Sequence, residues 1–128
     1  MTADEVSPPA APSHRFRKSE RLLRRADFVR VQTTGARFRT GRMAITWLPS
    51  ETGHTRIGIT VSRKVGNSPV RSRVKRWIRE AYRLNKDAWP EAVDFVVIAR
   101  PPAARAGFRK IEADMLRWAA SQRGAKSP

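Results

Sequence analysis

Residues 55–86 read TRIGITVSRKVGNSPVRSRVKRWIREAYRLNK. A β-patterned run, a turn and a two-faced helix follow one another directly. Residues 55–62 are rich in β-branched side chains and read as a strand. Residues 63–69 form a loop, in which Gly66 and Asn67 tolerate unusual backbone angles and Pro69 suits a first helical turn. Residues 70–86 then sort on a helical wheel at about 100° per residue. Val70, Val74, Trp77, Ala81 and Leu84 share one arc, with Ile78 at its edge. Arg71, Lys75, Arg79 and Arg83 make an i, i+4 row on another side, broadened by Arg73 and Arg76.

Outward from this segment the pattern predicts an α+β fold. Trp89-Pro90 breaks the helix, and the nearly all-apolar 93–99 (VDFVVIA) reads as a buried central strand. Upstream, 42–48 alternates as a strand and 36–39 is a short extended piece before it. Residues 19–34 read as a first helix, with Leu22, Leu23, Ala26 and Val29 as its apolar stripe and Gly35 as its stop. Residues 106–120 read as a last helix. The order α-β-β-β-α-β-α implies one domain, a four-stranded sheet of three long strands and one short, with helices packed on it. Residues 1–14 (MTADEVSPPAAPSH) are expected to be a disordered tail and 121–128 a flexible one, leaving a domain over 15–120.

Charge points to function. The 128 residues hold 27 Lys and Arg against 11 Asp and Glu, a net +16. Arg predominates, and its planar fork suits phosphates and stacks on bases where Lys is a point charge. An Arg-rich basic domain is first a candidate for nucleic acid. The row on the helix carries like charges at i, i+4, each pair costing an isolated helix a few tenths of a kcal/mol. A merely solvated face would mix signs, whereas here Glu80 alone offers an opposing charge. Such a row is built to neutralise phosphates, with salt-dependent binding. Phe16 and Phe28 lie among cations, a pattern suited to unstacked nucleotides. For Phe28, core packing and base stacking are both open.

Other chemistry finds little support. There is no cysteine, so disulfides and thiolate metal sites are excluded. The acids are scattered, Asp94 reading as a satisfied polar group in a strand, and neither His14 nor His54 has a spaced partner. No nuclease or metal site of the chain's own is expected. No apolar run reaches the roughly 20 residues of a membrane span, and the first residues lack a signal-peptide pattern. A cytoplasmic protein without a membrane partner is expected.

The run SRKVGNSPVRSRVKRWIREAYR, residues 62–83, resembles the signature of the protein subunit of bacterial ribonuclease P. RLLRRADFVRVQTTG (21–35) is similar to that family's first helix, and VDFVVIARPPA (93–103) to its last strand and turn. The resemblance implies a protein that assists a catalytic RNA in binding precursor tRNA and removing its 5′ leader. It also implies Mg2+ at the RNA's active site, no cofactor on the protein, and a left-handed β-α-β crossover, an exception to the usual hand. It assigns RNA binding to Arg63, Lys64, Asn67, Arg71, Ser72, Arg73, Lys75, Arg76, Arg79 and Arg83, and a cleft for the leader to Phe28 and Thr46. The family's Arg-Asn-Arg has Ser72 at its centre here. Gln32 replaces an aromatic, and Thr46 stands where Tyr is frequent. A structural RNA-binding protein, such as a ribosomal component or RNA chaperone, is the alternative.

Overall fold

β4 (Val93–Ala99) is the strand on which everything else is laid. In the computed structural model, which describes residues 17–126, it is flanked by β2 (Met43–Pro49), antiparallel, and β3 (Arg56–Val61), parallel. The short β1 (Ala36–Arg39) adds antiparallel to β2, giving the order β1-β2-β4-β3. The parallel β3–β4 pair needs a crossover, and α2 (Ser68–Leu84) supplies it. The two flanking helices are α1 (Arg25–Thr34) and α3 (Phe108–Lys126). This is the α+β sheet that the sequence predicts.

The faces of the sheet are unequal. Ile45, Ile57, Phe95 and Val97 point to the α2/α3 side, where they bury against Val74, Ile78, Ile111, Met115 and Trp118. Phe95 and Trp118 meet with ring centroids 4.6 Å apart. Fully burying each such side chain contributes roughly 2 kcal/mol, so this face carries most of the stability. The α1 side holds a much smaller cluster, Leu22, Val31 and Val96.

Several predicted boundaries move. α1 starts at Arg25, and residues 18–24 are a 3-10 turn (Lys18–Glu20) and an extended stretch. Leu22 N–H donates to Ile57 O at 2.9 Å, tying that stretch to the edge of β3. Of the expected stripe only Leu22 is buried, while Leu23 (59% exposed) and Val29 (47%) face outward. The helix buries Val31 instead. It ends at Gly35, where a Cβ would come within 2.6 Å of Trp47 O. On α2 the buried side chains are Val74, Ile78, Ala81 and Tyr82, so Ile78 is central to the apolar arc and Leu84 lies outside it. α3 continues to Lys126, past the predicted end at Ala120. The expected N-terminal tail, with Arg15 and Phe16, lies outside the described residues.

Candidate nucleic-acid interface

β3 is an edge strand, bonded at Ile57 to the extended stretch before α1, and its edge lies between that stretch with α1 and the helix α2. On one side stand Leu22, Leu23 and Phe28, on the other Lys75 and Arg79 of α2. Together with Arg21, Ile57 and Ile59 they enclose a groove of about 370 Å³. A second hollow of about 420 Å³, lined by Arg25, Val29, Gln32 and Thr60, shares Leu23 and Phe28 with the first. Phe28 therefore stands between two adjoining hollows of one channel-like surface, half-buried, with its ring over Gly58. A Cβ on Gly58 would lie 2.7 Å from Phe28 Cε1 and 2.8 Å from Cζ. The absent side chain is what lets the ring settle on the sheet. Leu23 and Val29 are thus rim residues of the channel rather than core. Apolar and aromatic rims beside fixed cations suit single-stranded nucleotides, bases against the rim and phosphates toward the cations.

The row on α2 is not uniform. Lys75 and Arg79 face the groove. Arg71 turns back on its own loop, donating to Gly66 O (3.1 Å) and Ser68 Oγ (3.0 Å). Arg83 is held by Glu80 at 2.6 Å. That guanidinium keeps the Glu80 carboxyl below its ordinary pKa. Arg73 lies over the Trp77 ring, 5.6 Å from its centroid. Ser72, Arg73, Arg76, Arg63 and Lys64 are exposed, the last two in the turn after β3. Asn67, assigned to RNA, is the N-cap of α2, its Oδ1 accepting from Val70 N–H at 3.1 Å. Losing such a cap typically costs about 1 kcal/mol. Gly66 is required beside it, since a Cβ would sit 2.7 Å from Val70 Cγ1.

Thr46 is a correction. It sits on the α1 side of β2, but with no exposed surface and no hydrogen-bond partner for its hydroxyl among the described residues. Opposite Val96 in the register, it is wholly buried on this face and lines neither hollow.

Two acids organise the channel walls, and neither stood out in the sequence as more than a polar residue. Asp94 has no exposed surface, and burial alone would raise its pKa. Arg56 grips both oxygens (2.9 and 2.7 Å) and Arg30 of α1 reaches Oδ2 at 2.6 Å, which together bring it below the ordinary carboxylate value. Asp27 adds longer contacts to both arginines, 4.0 Å to Arg30 and 3.8 Å to Arg56. Glu20 does similar work at the other end. Burial would raise its pKa too, but Lys86 Nζ (2.7 Å), the Arg17 N–H (2.8 Å) and the Tyr82 hydroxyl (3.0 Å) hold it low. His54 Nε2 also contacts Ser19 O at 2.9 Å. The segment that carries Arg21 and Leu22 into the groove is thereby clamped to the end of α2. The signal was an acid inside an apolar strand, which demands partners.

Known proteins agree with this geometry. The ribonuclease P family model matches residues 16–122. The chain belongs to the ribonuclease P protein family. It is 42% identical over 103 residues to the ribonuclease P protein component of Desulforapulum autotrophicum, covering 80% of this chain and 88% of that one. It is equally identical over 100 residues to that of Geotalea uraniireducens, at 78% and 88% coverage. Among solved structures, the RNase P protein of Staphylococcus aureus aligns with a TM-score of 0.73 at 31% identity, covering 85% and 97% of the two chains. That of Thermotoga maritima gives 0.73 at 30% identity, covering 80% and 96%. Membership in the family links the chain to tRNA processing and to RNA, and the relatives do not favour the reading as a ribosomal component or chaperone. Among the described residues, no group of three or more His, Cys, Asp or Glu side chains is placed to hold a metal ion, and no helix is long and apolar enough to cross a membrane.

Proposed function

We propose that the chain is the protein subunit of a ribonucleoprotein endoribonuclease that removes the 5′ leader from precursor tRNA. A catalytic RNA carries the active site, and Mg2+ bound there supplies the charge stabilisation for phosphodiester hydrolysis. The protein contributes binding. The observation that carries this reading is the channel in which Phe28 and the apolar rim face Lys75 and Arg79 across the edge of β3. Its lining suits a single strand, with leader nucleotides stacked at Phe28 and their phosphates toward Lys75 and Arg79 of α2. The exposed Arg63, Lys64, Ser72, Arg73 and Arg76 are assigned to the catalytic RNA. Arg71, Arg83 and Asn67 support that surface from within, through their own loop, Glu80 and the helix cap. The protein works in the cytoplasm, where precursor tRNA is made.

Holding substrate ends by charge and stacking raises the effective concentration of the scissile bond at the RNA's metal site. The test is reconstitution of the full chain with its cognate catalytic RNA on leader-bearing precursor tRNA. At Mg2+ concentrations where the RNA alone cleaves poorly, added protein raises kcat/KM. Cleavage unchanged by the protein would overturn the proposal.

A further inference from the structure

α1 forms one wall of the channel, yet little apolar contact fixes it there. Val31 is its one buried side chain, Phe28 is half-buried, and Leu23 and Val29 face the channel. Its strongest attachment is polar. Arg30 reaches across from α1 to Asp94 on β4 at 2.6 Å, and Asp94 is held from β3 by Nε and Nη2 of Arg56. Asp27, one turn before Arg30 on α1, closes the circuit by facing Arg56 at 3.8 Å. The four charges balance and tie α1, which carries Phe28, to β3, the strand under the Phe28 ring, and to β4 behind it. Asp94 and Phe28 lie on opposite sides of one small patch. Asp94 pairs with Arg56 in the sheet register, and Gly58, under the Phe28 ring, is two residues along the same strand.

We infer that Asp94 is a positioning residue for leader recognition: through Arg30 and Arg56 it fixes α1 on the sheet and so fixes the gap in which Phe28 meets a nucleotide. This rests on the proposed function. Asp94 is buried and touches no RNA itself. Burial of a carboxylate is costly unless it is paired, so the network has one favourable arrangement rather than many. α1 is thereby held in one place, although its apolar grip is thin.

Charge and position make opposite predictions, which gives a clean test. D94N adds one positive charge to the chain, and R30Q removes one. If these residues act on RNA through charge alone, D94N tightens binding and R30Q weakens it. If they act by holding α1, both variants lose the same thing. The measurement is the leader contribution in the reconstituted holoenzyme, taken as the ratio of Kd for mature tRNA to Kd for leader-bearing precursor. Each variant is expected to lower that ratio by about tenfold, the worth of one base stack, while affinity for the catalytic RNA changes less than twofold. R109Q, which removes the same charge from the exposed face of α3, should leave the ratio unchanged. R30Q keeps the Arg56–Asp94 pair and so remains informative even if D94N does not fold. Ratios that follow net charge, or an R30Q ratio equal to wild type, would overturn the inference. A wild-type holoenzyme with no leader contribution would instead overturn the proposed function beneath it.

Discussion

Gly58→Ala separates the position of one ring from the stability of the fold. The new Cβ would lie 2.7 Å from Phe28 Cε1, 2.8 Å from Cζ and 3.3 Å from Leu22 Cβ. Carbon pairs settle near 3.6 Å, so the ring edge must move by about 1 Å. The two nearest obstructing atoms are the free end of the Phe28 side chain, and Leu22 Cβ need give by only a few tenths of an ångström, so the strand itself need not shift. Overpacking of this kind costs about 1 kcal/mol or somewhat more. Replacing a strand glycine restores roughly 0.4–1 kcal/mol through the unfolded chain. Net stability should therefore change little, and the melting temperature should stay within a few degrees of wild type. Leader binding should not be spared. A ring lifted from the sheet no longer presents its face at the same height, and losing one stack weakens leader-bearing precursor by about tenfold. Mature tRNA, which lacks the leader, should bind as before. The assay is paired Kd measurement on the two substrates in the holoenzyme, with a thermal melt of the free protein. A leader contribution equal to wild type would refute the placement of Phe28 in the recognition site. Severe unfolding would refute the claim that the ring, rather than the strand, gives way.

Two further outcomes follow from the charges. K75A/R79A should flatten the salt dependence of precursor binding by about one unit of slope per lost phosphate contact, whereas R71A should flatten it less because that guanidinium is engaged by its own loop; equal slopes for all variants would make the row a solvated surface. Asp94 and Glu20 both have folded-state pKa values below their ordinary ones, so their stabilisation is fully present above about pH 4 and disappears as pH falls through the lower folded values. Thermal melts should therefore show stability dropping steeply in that acid range, and less steeply in D94N, which lacks one of the two protons taken up.

The sequence disclosed the parts with strong periodicity. The β3–α2 unit, the central place of β4 and the cationic row on α2 were all legible, because burial on one side and solvent on the other impose a repeat. The first helix was misread for a physical reason. Leu22 and Leu23 have helical spacing with Ala26 and Val29, yet Leu22 is pinned in extended form by Ile57 O, and the acid that docks this stretch, Glu20, pairs with residues more than sixty positions away. Local pattern cannot register such contacts. Asn67 illustrates the converse. Its place beside Pro69 at a helix start fits a cap, a role that resemblance alone does not assign to it. Thr46 has the right strand and the right face, but its full burial is a tertiary fact. Asp94 stood in plain view in an apolar strand, but its partners Arg30 and Arg56 lie 64 and 38 positions away, beyond the reach of local pattern.

The crowding of cations along α2 bears on the life of the protein before assembly. Lys75 and Arg79 are one helical turn apart, a spacing at which like charges repel, and the whole chain carries +16. Free in solution, the domain holds that repulsion as a standing load on its stability. Phosphates relieve it, and a ligand that binds the folded chain raises its apparent stability with the logarithm of ligand concentration. The RNA is in this sense the missing counterion of the fold. The free chain is accordingly expected to unfold more readily than the RNA-bound one, which limited proteolysis with and without RNA would read.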